Sequence, residues 1–360
     1  MKSPMERQAK RLPRMTGGFT LVELMVAMAI GLFLLIGLIS LLVTTSQSRT
    51  ELDKTGRQIE NGRYALQLLM EDAAHAGYMG AYMPSKVVYG APDPCTPSAA
   101  DFDPASTPDP TVPVFVYGYD GATAVPGSCS AIITNRLAGT AILVVRRVST
   151  TAVAVGAAAA GETYLQTAAC PPIPIGKAFV VSSSTADFSL LQKDCTTAGF
   201  LNKYMVHIYF VSSCNVCTPA SDGIPTLKLA EFVGGAMTVT PLTEGIQDLQ
   251  MDFGIDTNGD GSPDCNVGNP SSTSTPAVSA TCPTPGSYTW STPATNWSNV
   301  VTIKLYVLAR TLEPSVDWTD TRTYDMGIAG VTAAFNDHYK RHVSTALARV
   351  TNVSGRREQP

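Results

Sequence analysis

The chain has 360 residues, 44% of them hydrophobic and 15% charged, with a formal net charge of -4. That length holds one large or two modest domains beyond a membrane segment. Lys2, Arg7, Lys10, Arg11 and Arg14 stand against Glu6 alone in the first 18 positions, so the rest of the chain is more acidic than the whole. This speaks against a nucleic-acid-binding surface, which needs clustered Lys and Arg.

After the basic segment come Gly17 and Gly18, and from Phe19 to Val43 the chain is almost wholly apolar, with Glu23 its only charge. A helix over that run is long enough to cross a bilayer. A secretory signal has a shorter apolar core, followed by a small-residue cleavage site. Here the small residues come first, and the run continues into Leu42-Val43-Thr44-Thr45. A cut at the glycines would remove the basic leader and leave the membrane helix on the mature chain. A carboxylate at the centre of a membrane helix costs about 2.5–3.5 kcal/mol, so Glu23 calls for a partner. The basic leader places the N-terminus in the cytoplasm. All eight cysteines follow the apolar run: Cys95, Cys129, Cys170, Cys195, Cys214, Cys217, Cys265 and Cys282. An even number on the far side of a membrane helix fits disulfides in an oxidising compartment.

The stretch Gly18-Phe19-Thr20-Leu21-Val22-Glu23 resembles the prepilin signature of type IV pilins and type II secretion pseudopilins. The resemblance implies that a prepilin peptidase cleaves between Gly18 and Phe19 and methylates the new amine of Phe19. It implies that Glu23 pairs with the N-terminal amine of a neighbouring subunit and so sets axial register. The implied fold is α+β and type IV pilin-like. A leader (1–18), a transmembrane half-helix (19–43) and an amphipathic half-helix (44–77) precede a periplasmic or extracellular β-rich headgroup (78–360).

From Ser48 to Ala76 the sequence turns polar but keeps Leu52, Ile59, Leu66, Leu69 and Ala73 at helical spacing, which predicts continuation of the helix. Gly56 and Gly62 weaken it by about 1 kcal/mol each relative to Ala, and Gly77 is a plausible stop. Gln58-Ile59-Glu60-Asn61-Gly62-Arg63-Tyr64-Ala65, with Asp72 and Ala76-Gly77-Tyr78, resembles the first helix of PilW-family minor pilins. Residues 84–113 are rich in proline and read as a long surface loop tied down by Cys95.

Strand signals follow at Val114–Tyr119, Ala141–Val148, Lys177–Val181, Lys203–Val211, Thr226–Phe232, Gln247–Phe253 and Val300–Arg310. Tyr204, Val206, Ile208 and Phe210 alternate onto one face. No helical segment alternates with these strands, so an antiparallel sheet packed on the second half of the long helix is expected. Trp297-Ser298-Asn299-Val300-Val301, then Arg341-His342-Val343 to Arg349-Val350-Thr351-Asn352, again resemble PilW-type minor pilins.

One segment is metal-like: Asp256-Thr257-Asn258-Gly259-Asp260-Gly261-Ser262-Pro263-Asp264. Oxygens at alternate positions with Gly at the sixth are what a Ca²⁺ loop needs, and Asp256, Asn258, Asp260, Asp264 and the Ser262 carbonyl are the candidate ligands. The twelfth position is Val267 where an EF-hand has Glu, and the loop follows a strand. The alternative is a solvated turn. Cys214-Asn215-Val216-Cys217 has redox or zinc spacing but is a lone CxxC, and a structural disulfide is the expected reading. Pairing by sequence neighbours gives Cys95–Cys129, Cys170–Cys195, Cys214–Cys217 and Cys265–Cys282. His75, His207, His338 and His342 lack HExxH or triad context, and no G-x-S-x-G, Walker A or dinucleotide fingerprint occurs, so no enzyme is expected.

The resemblance implies a minor pilin of the inner membrane that enters the type IV pilus. Its expected roles are initiation and assembly, in support of twitching motility, adhesion or DNA uptake. Expected partners are other minor pilins, the major pilin, prepilin peptidase, the inner-membrane assembly platform and the lipid bilayer, but not nucleic acid. Two alternatives are a J-like minor pseudopilin of type II secretion and a pilus-tip adhesion or DNA-binding module built on the Ser/Thr/Pro-rich stretch 268–295.

Overall fold

The computed structural model describes residues 18, 20–81, 86–106, 108–173, 178–271 and 292–358. Leader residues 1–17, Phe19, Cys282 and most of the 268–295 stretch lie outside them. The chain divides into two units, Met1–Asp53 and Lys54–Pro360. Helix α1 (Leu21–His75) is 55 residues long and belongs to both. In the first unit its side chains from Leu21 to Thr50 are exposed all round. A helix apolar on every face is suited to lipid rather than to a protein core. By length and composition the helix is long and apolar enough to cross a membrane.

In the second unit α1 buries Gln58, Gly62, Ala65, Leu66, Leu69, Asp72 and Ala73. These recur at three- and four-residue steps, the spacing of one helix face. Leu66, Leu69 and Ala73 of the expected stripe lie on this face, but Ile59 is 39% exposed and Gln58 and Gly62 are buried in its place. Close approach explains the difference. A Cβ on Gly62 would sit 3.2 Å from Ala309 Cβ and 3.3 Å from Ser344 Oγ. Beside it the Gln58 side-chain amide donates to the Ala309 carbonyl at 2.8 Å. The helix ends where Gly77 adopts φ +75°, with its backbone against the Phe115 ring.

Thirteen strands are described: β1 (Val88–Gly90), β2 (Thr111–Pro113), β3 (Val116–Tyr119), β4 (Ile142–Val153), β5 (Tyr164–Thr167), β6 (Phe179–Ser182), β7 (Leu201–Ser212), β8 (Thr226–Val233), β9 (Ala236–Glu244), β10 (Ile246–Ile255), β11 (Cys265–Val267), β12 (Val300–Arg310) and β13 (Arg341–Arg349). Two short helices, α2 (Pro293–Ser298) and α3 (Thr351–Arg357), complete the elements used below. One sheet has the order β11-β10-β12-β13 and is antiparallel throughout. A second, larger sheet centres on β7, which pairs with β4 on one edge and with β5 and β8 on the other. Beyond these, β3, β6 and β9 extend it, all antiparallel. Trp297 on α2 links the two sheets: its ring centroid lies 4.7 Å from Phe253 on β10 and 4.7 Å from Tyr117 on β3. The fold is therefore α+β and consistent with a type IV pilin-like fold.

Two expectations change. The proline-rich 84–113 stretch is more than a surface loop: β1 and β2 pair in parallel within it, and Phe102 is buried edge-on against Tyr204 at 5.0 Å. Strand β7 is buried on both faces from Val206 to Ser212, so its alternation does not separate core from solvent. A central strand covered on both sides has no wet face to mark.

Candidate functional site

The N-terminus of α1 carries the first candidate residues. Thr20 caps the helix: its backbone N–H and hydroxyl donate to Glu23 Oε2 at 3.0 and 3.1 Å, and the Glu23 N–H donates back to Thr20 Oγ1 at 3.3 Å. This reciprocal Thr-x-x-Glu arrangement is a capping box, which satisfies orphan N–H groups at the first turn. Within one chain Glu23 thus already has work at the helix end. The T-x-x-E spacing was legible in the sequence and is the signal that the apolar context hides. Gly18 is exposed, and Phe19, its expected partner in cleavage and methylation, lies outside the described residues.

The second half of α1 is fixed to the headgroup by a buried charge cluster. Asp72 accepts from His207 Nδ1 at 2.6 Å, Arg147 Nε at 2.7 Å and Tyr209 Oη at 2.9 Å. His207 Nε2 lies 3.7 Å from Glu231 on β8. Burial alone would push the Asp72 carboxyl up, but the hydrogen bond and charge of His207 and the charge of Arg147 outweigh it and hold it below the usual carboxylate range. Burial, followed by the charge of Asp72, pushes the Tyr209 hydroxyl up. At the helix end, Asn352 on α3 donates its side-chain amide to the carbonyls of His75 and Ala76 at 3.3 and 3.2 Å. Carbonyls left over at a helix C-terminus are thereby satisfied.

A second buried centre organises residues 311–340. The Arg341 side chain is fully buried, with Nη1 2.9 Å from Asp320, Nη2 2.6 Å from Asp337 and Nε 2.7 Å from Gln247. Its guanidinium also stacks 3.8 Å from the Phe335 centroid. Burial disfavours the charge, but the hydrogen bonds Arg341 donates to Asp337 and Asp320 outweigh it, so Arg341 is held above its ordinary range.

The metal-like loop is closed by its own hydrogen bonds. Asp256 accepts the N–H groups of Gly259 and Gly261 at 2.6 and 3.0 Å, and both glycines adopt the left-handed φ the turn requires. Arg357 Nη1 lies 3.2 Å from Asp256 Oδ2, a resident cation at the first candidate ligand. Asp264 accepts from the Thr257 hydroxyl at 2.6 Å. The Asn258 amide nitrogen stands between Asp260 and Asp264 at 3.2 and 3.3 Å. The Ser262 N–H donates to Asp260 at 2.8 Å. The carboxylates do not converge within reach of one ion in this arrangement. The donor chemistry suits a hard cation, but Asn258 would have to turn and Arg357 to withdraw.

Three disulfides join sequence neighbours: Cys95–Cys129, Cys170–Cys195 and Cys214–Cys217. Cys265 is also disulfide-bonded, and the expected Cys265–Cys282 pair involves a residue outside those described. Among the described residues, the one cluster close enough to share an ion is Asp93 with Cys95 and Cys129. Both cysteines are spent in the disulfide, so it offers no thiolate.

Two family models match the chain. The prokaryotic N-terminal methylation motif matches residues 13–39. Type IV pilus-assembly protein W matches residues 208–352. Over these two segments the chain is similar to PilW-like, prepilin-type minor pilins. No curated protein and no solved structure matches it. The PilW match covers the Arg341 centre, Asn352 and Trp297, and the methylation motif covers Gly18 to Glu23. An apolar N-terminal helix that fits a membrane anchor thus precedes a disulfide-bonded β headgroup, of which residues 208–352 match the pilus-assembly family.

Proposed function

We propose that this chain takes part in initiating and assembling a type IV pilus, in support of twitching motility, adhesion or DNA uptake. The observation that carries the reading is the apolar helix from Leu21 to Val43, with Glu23 its only charge, in a chain whose headgroup matches PilW. In this reading prepilin peptidase cuts between Gly18 and Phe19 and methylates Phe19. The helix then leaves the inner membrane for the fibre, and Glu23 turns from its own Thr20 to the amine of a neighbouring subunit. A buried acid becomes tolerable once paired, which makes that contact selective for register. The basic leader and the disulfides support a cytoplasmic N-terminus and a periplasmic headgroup.

The PilW match over the headgroup favours a pilus over a type II secretion pseudopilus, whose N-terminus would look the same. The test is co-purification from membranes. Recovery with other minor pilins and the assembly platform supports the reading, and recovery with secretion components instead contradicts it.

Calcium remains a proposal for Asp256, Asn258, Asp260, Ser262 and Asp264. Val267 at the twelfth position and Arg357 at Asp256 both favour weak binding, in the range of about 10⁻⁴–10⁻³ M seen in extracellular modules.

A further inference from the structure

Strand β7 ends at Ser212, and Cys214 and Cys217 form a disulfide in the turn that follows. Cys214 is 1% exposed, whereas Cys217 is partly open to solvent. The turn does not rest on that bond. Asp222 accepts the backbone N–H of Asn215 at 3.0 Å and of Val216 at 2.8 Å. Glu244 accepts the Asn215 side-chain amide at 2.6 Å. Lys228 on β8 donates to the Asn215 carbonyl at 3.1 Å, and its Nζ lies 3.5 Å from Cys217 Sγ. The Ser212 hydroxyl lies 3.8 Å from one sulfur and 3.7 Å from the other.

We propose that Cys214 and Cys217 form a thiol–disulfide exchange site that reacts reversibly with an external dithiol. The thiolate of the dithiol attacks Cys217 Sγ, the sulfur of the more exposed cysteine. The Cys214–Cys217 bond breaks, and a mixed disulfide forms at Cys217. Cys214 leaves with the electron pair as a thiolate, with the Ser212 hydroxyl in reach to donate to it. The second thiol of the dithiol then displaces Cys217, which leaves as a thiolate beside the Lys228 ammonium. Two electrons pass to this chain, two protons follow, and the dithiol ends as a disulfide. Exchange is favoured where a leaving thiolate is stabilised, and a neighbouring ammonium stabilises it. The other charged groups at the turn are Asp222, Glu244 and Arg310. Asp222 and Glu244 are occupied by the N–H groups above, and Arg310 donates to the Gly223 carbonyl at 2.8 Å. Since Asp222, Glu244 and Lys228 hold the turn, reduction leaves it in place and the bond can re-form.

The molecule carries its own control. Cys195 of the Cys170–Cys195 disulfide is more exposed than Cys217, and among the described residues the polar atoms beside its two sulfurs are the carbonyls of Pro171 and Lys193, at 3.7 and 3.8 Å. Accessibility alone would therefore open Cys170–Cys195 first. The full-length chain in detergent is equilibrated in buffers of reduced and oxidised dithiothreitol, alkylated, and its free thiols located by peptide mass. Cys214 and Cys217 are expected to appear at a less reducing ratio than Cys170 and Cys195. Lys228→Met should shift that ratio, and the alkylation rate of reduced Cys217 at neutral pH, by about tenfold, one unit of thiol pKa. Lys228→Arg, which keeps the charge, should retain both. If Cys170–Cys195 opens first, or if Lys228→Met changes neither quantity, the proposal is overturned.

Discussion

The Asp72 carboxylate on α1 lies 2.6 Å from Nδ1 of His207 on β7, although 135 residues separate them. Arg147 and Tyr209 complete the cluster, so one helical acid holds three side chains from two strands. Removing one partner of a buried ion pair strands the others, at a cost of about 3–5 kcal/mol. Asp72→Ala is expected to lower headgroup stability by that amount, read by denaturant unfolding of the chain in detergent. The acid is held below its ordinary range, so its stabilisation is complete above the unfolded carboxylate pKa of about 3.9 and is lost as pH falls through the folded value. Wild type should therefore show an acid-side loss of stability below about pH 4 that Asp72→Asn reduces.

Arg341 anchors residues 311–340 through Asp320 and Asp337. Arg341→Met should cost about 3–5 kcal/mol, because Asp320 is left charged in a site with no exposure. Adding Asp320→Leu should recover part of that loss. The check is a double-mutant cycle by denaturant unfolding, in which strict additivity would contradict the pairing.

The helix glycines separate cleanly. A Cβ added at Gly56 would meet nothing within 4 Å, so Gly56→Ala should stabilise by about 0.5–1 kcal/mol through helix propensity. Gly62 faces Ala309 and Ser344 at 3.2 and 3.3 Å, so Gly62→Leu should push the helix off β12 and β13 and destabilise by about 1–3 kcal/mol. Paired unfolding curves test both signs at once.

Weak calcium binding at the Asp256 loop predicts a rise in melting temperature at millimolar calcium, since a ligand stabilises only near and above its Kd. Asp256→Asn should abolish the rise. An unchanged melting temperature in wild type up to about ten times the weak-site Kd range would leave the loop as a hydrogen-bonded turn.

The apolar run and β12 are legible because each is a long, uniform pattern decided by one kind of environment. The Asp72 and Arg341 centres are not, because their partners meet only when distant segments fold together. Gln58 and Gly62 mislead the helical stripe for a related reason: close backbone packing selects a small residue and a hydrogen bond over apolar bulk. Strand β9 escapes notice because it is largely exposed and holds Pro241, a residue that suits an edge strand. The Thr20–Glu23 capping box is written plainly in the sequence but is masked by the hydrophobic residues around it.

In the proposed mechanism Glu23 directs this chain into the pilus. The most direct test is the amount of the chain in pili sheared from cells expressing Glu23→Ala in place of wild type, normalised to the membrane pool. Loss of a selective buried pairing should cut incorporation by at least about tenfold, the effect of 1.4 kcal/mol, with the membrane level unchanged. Incorporation of Glu23→Ala at the wild-type level would contradict the account.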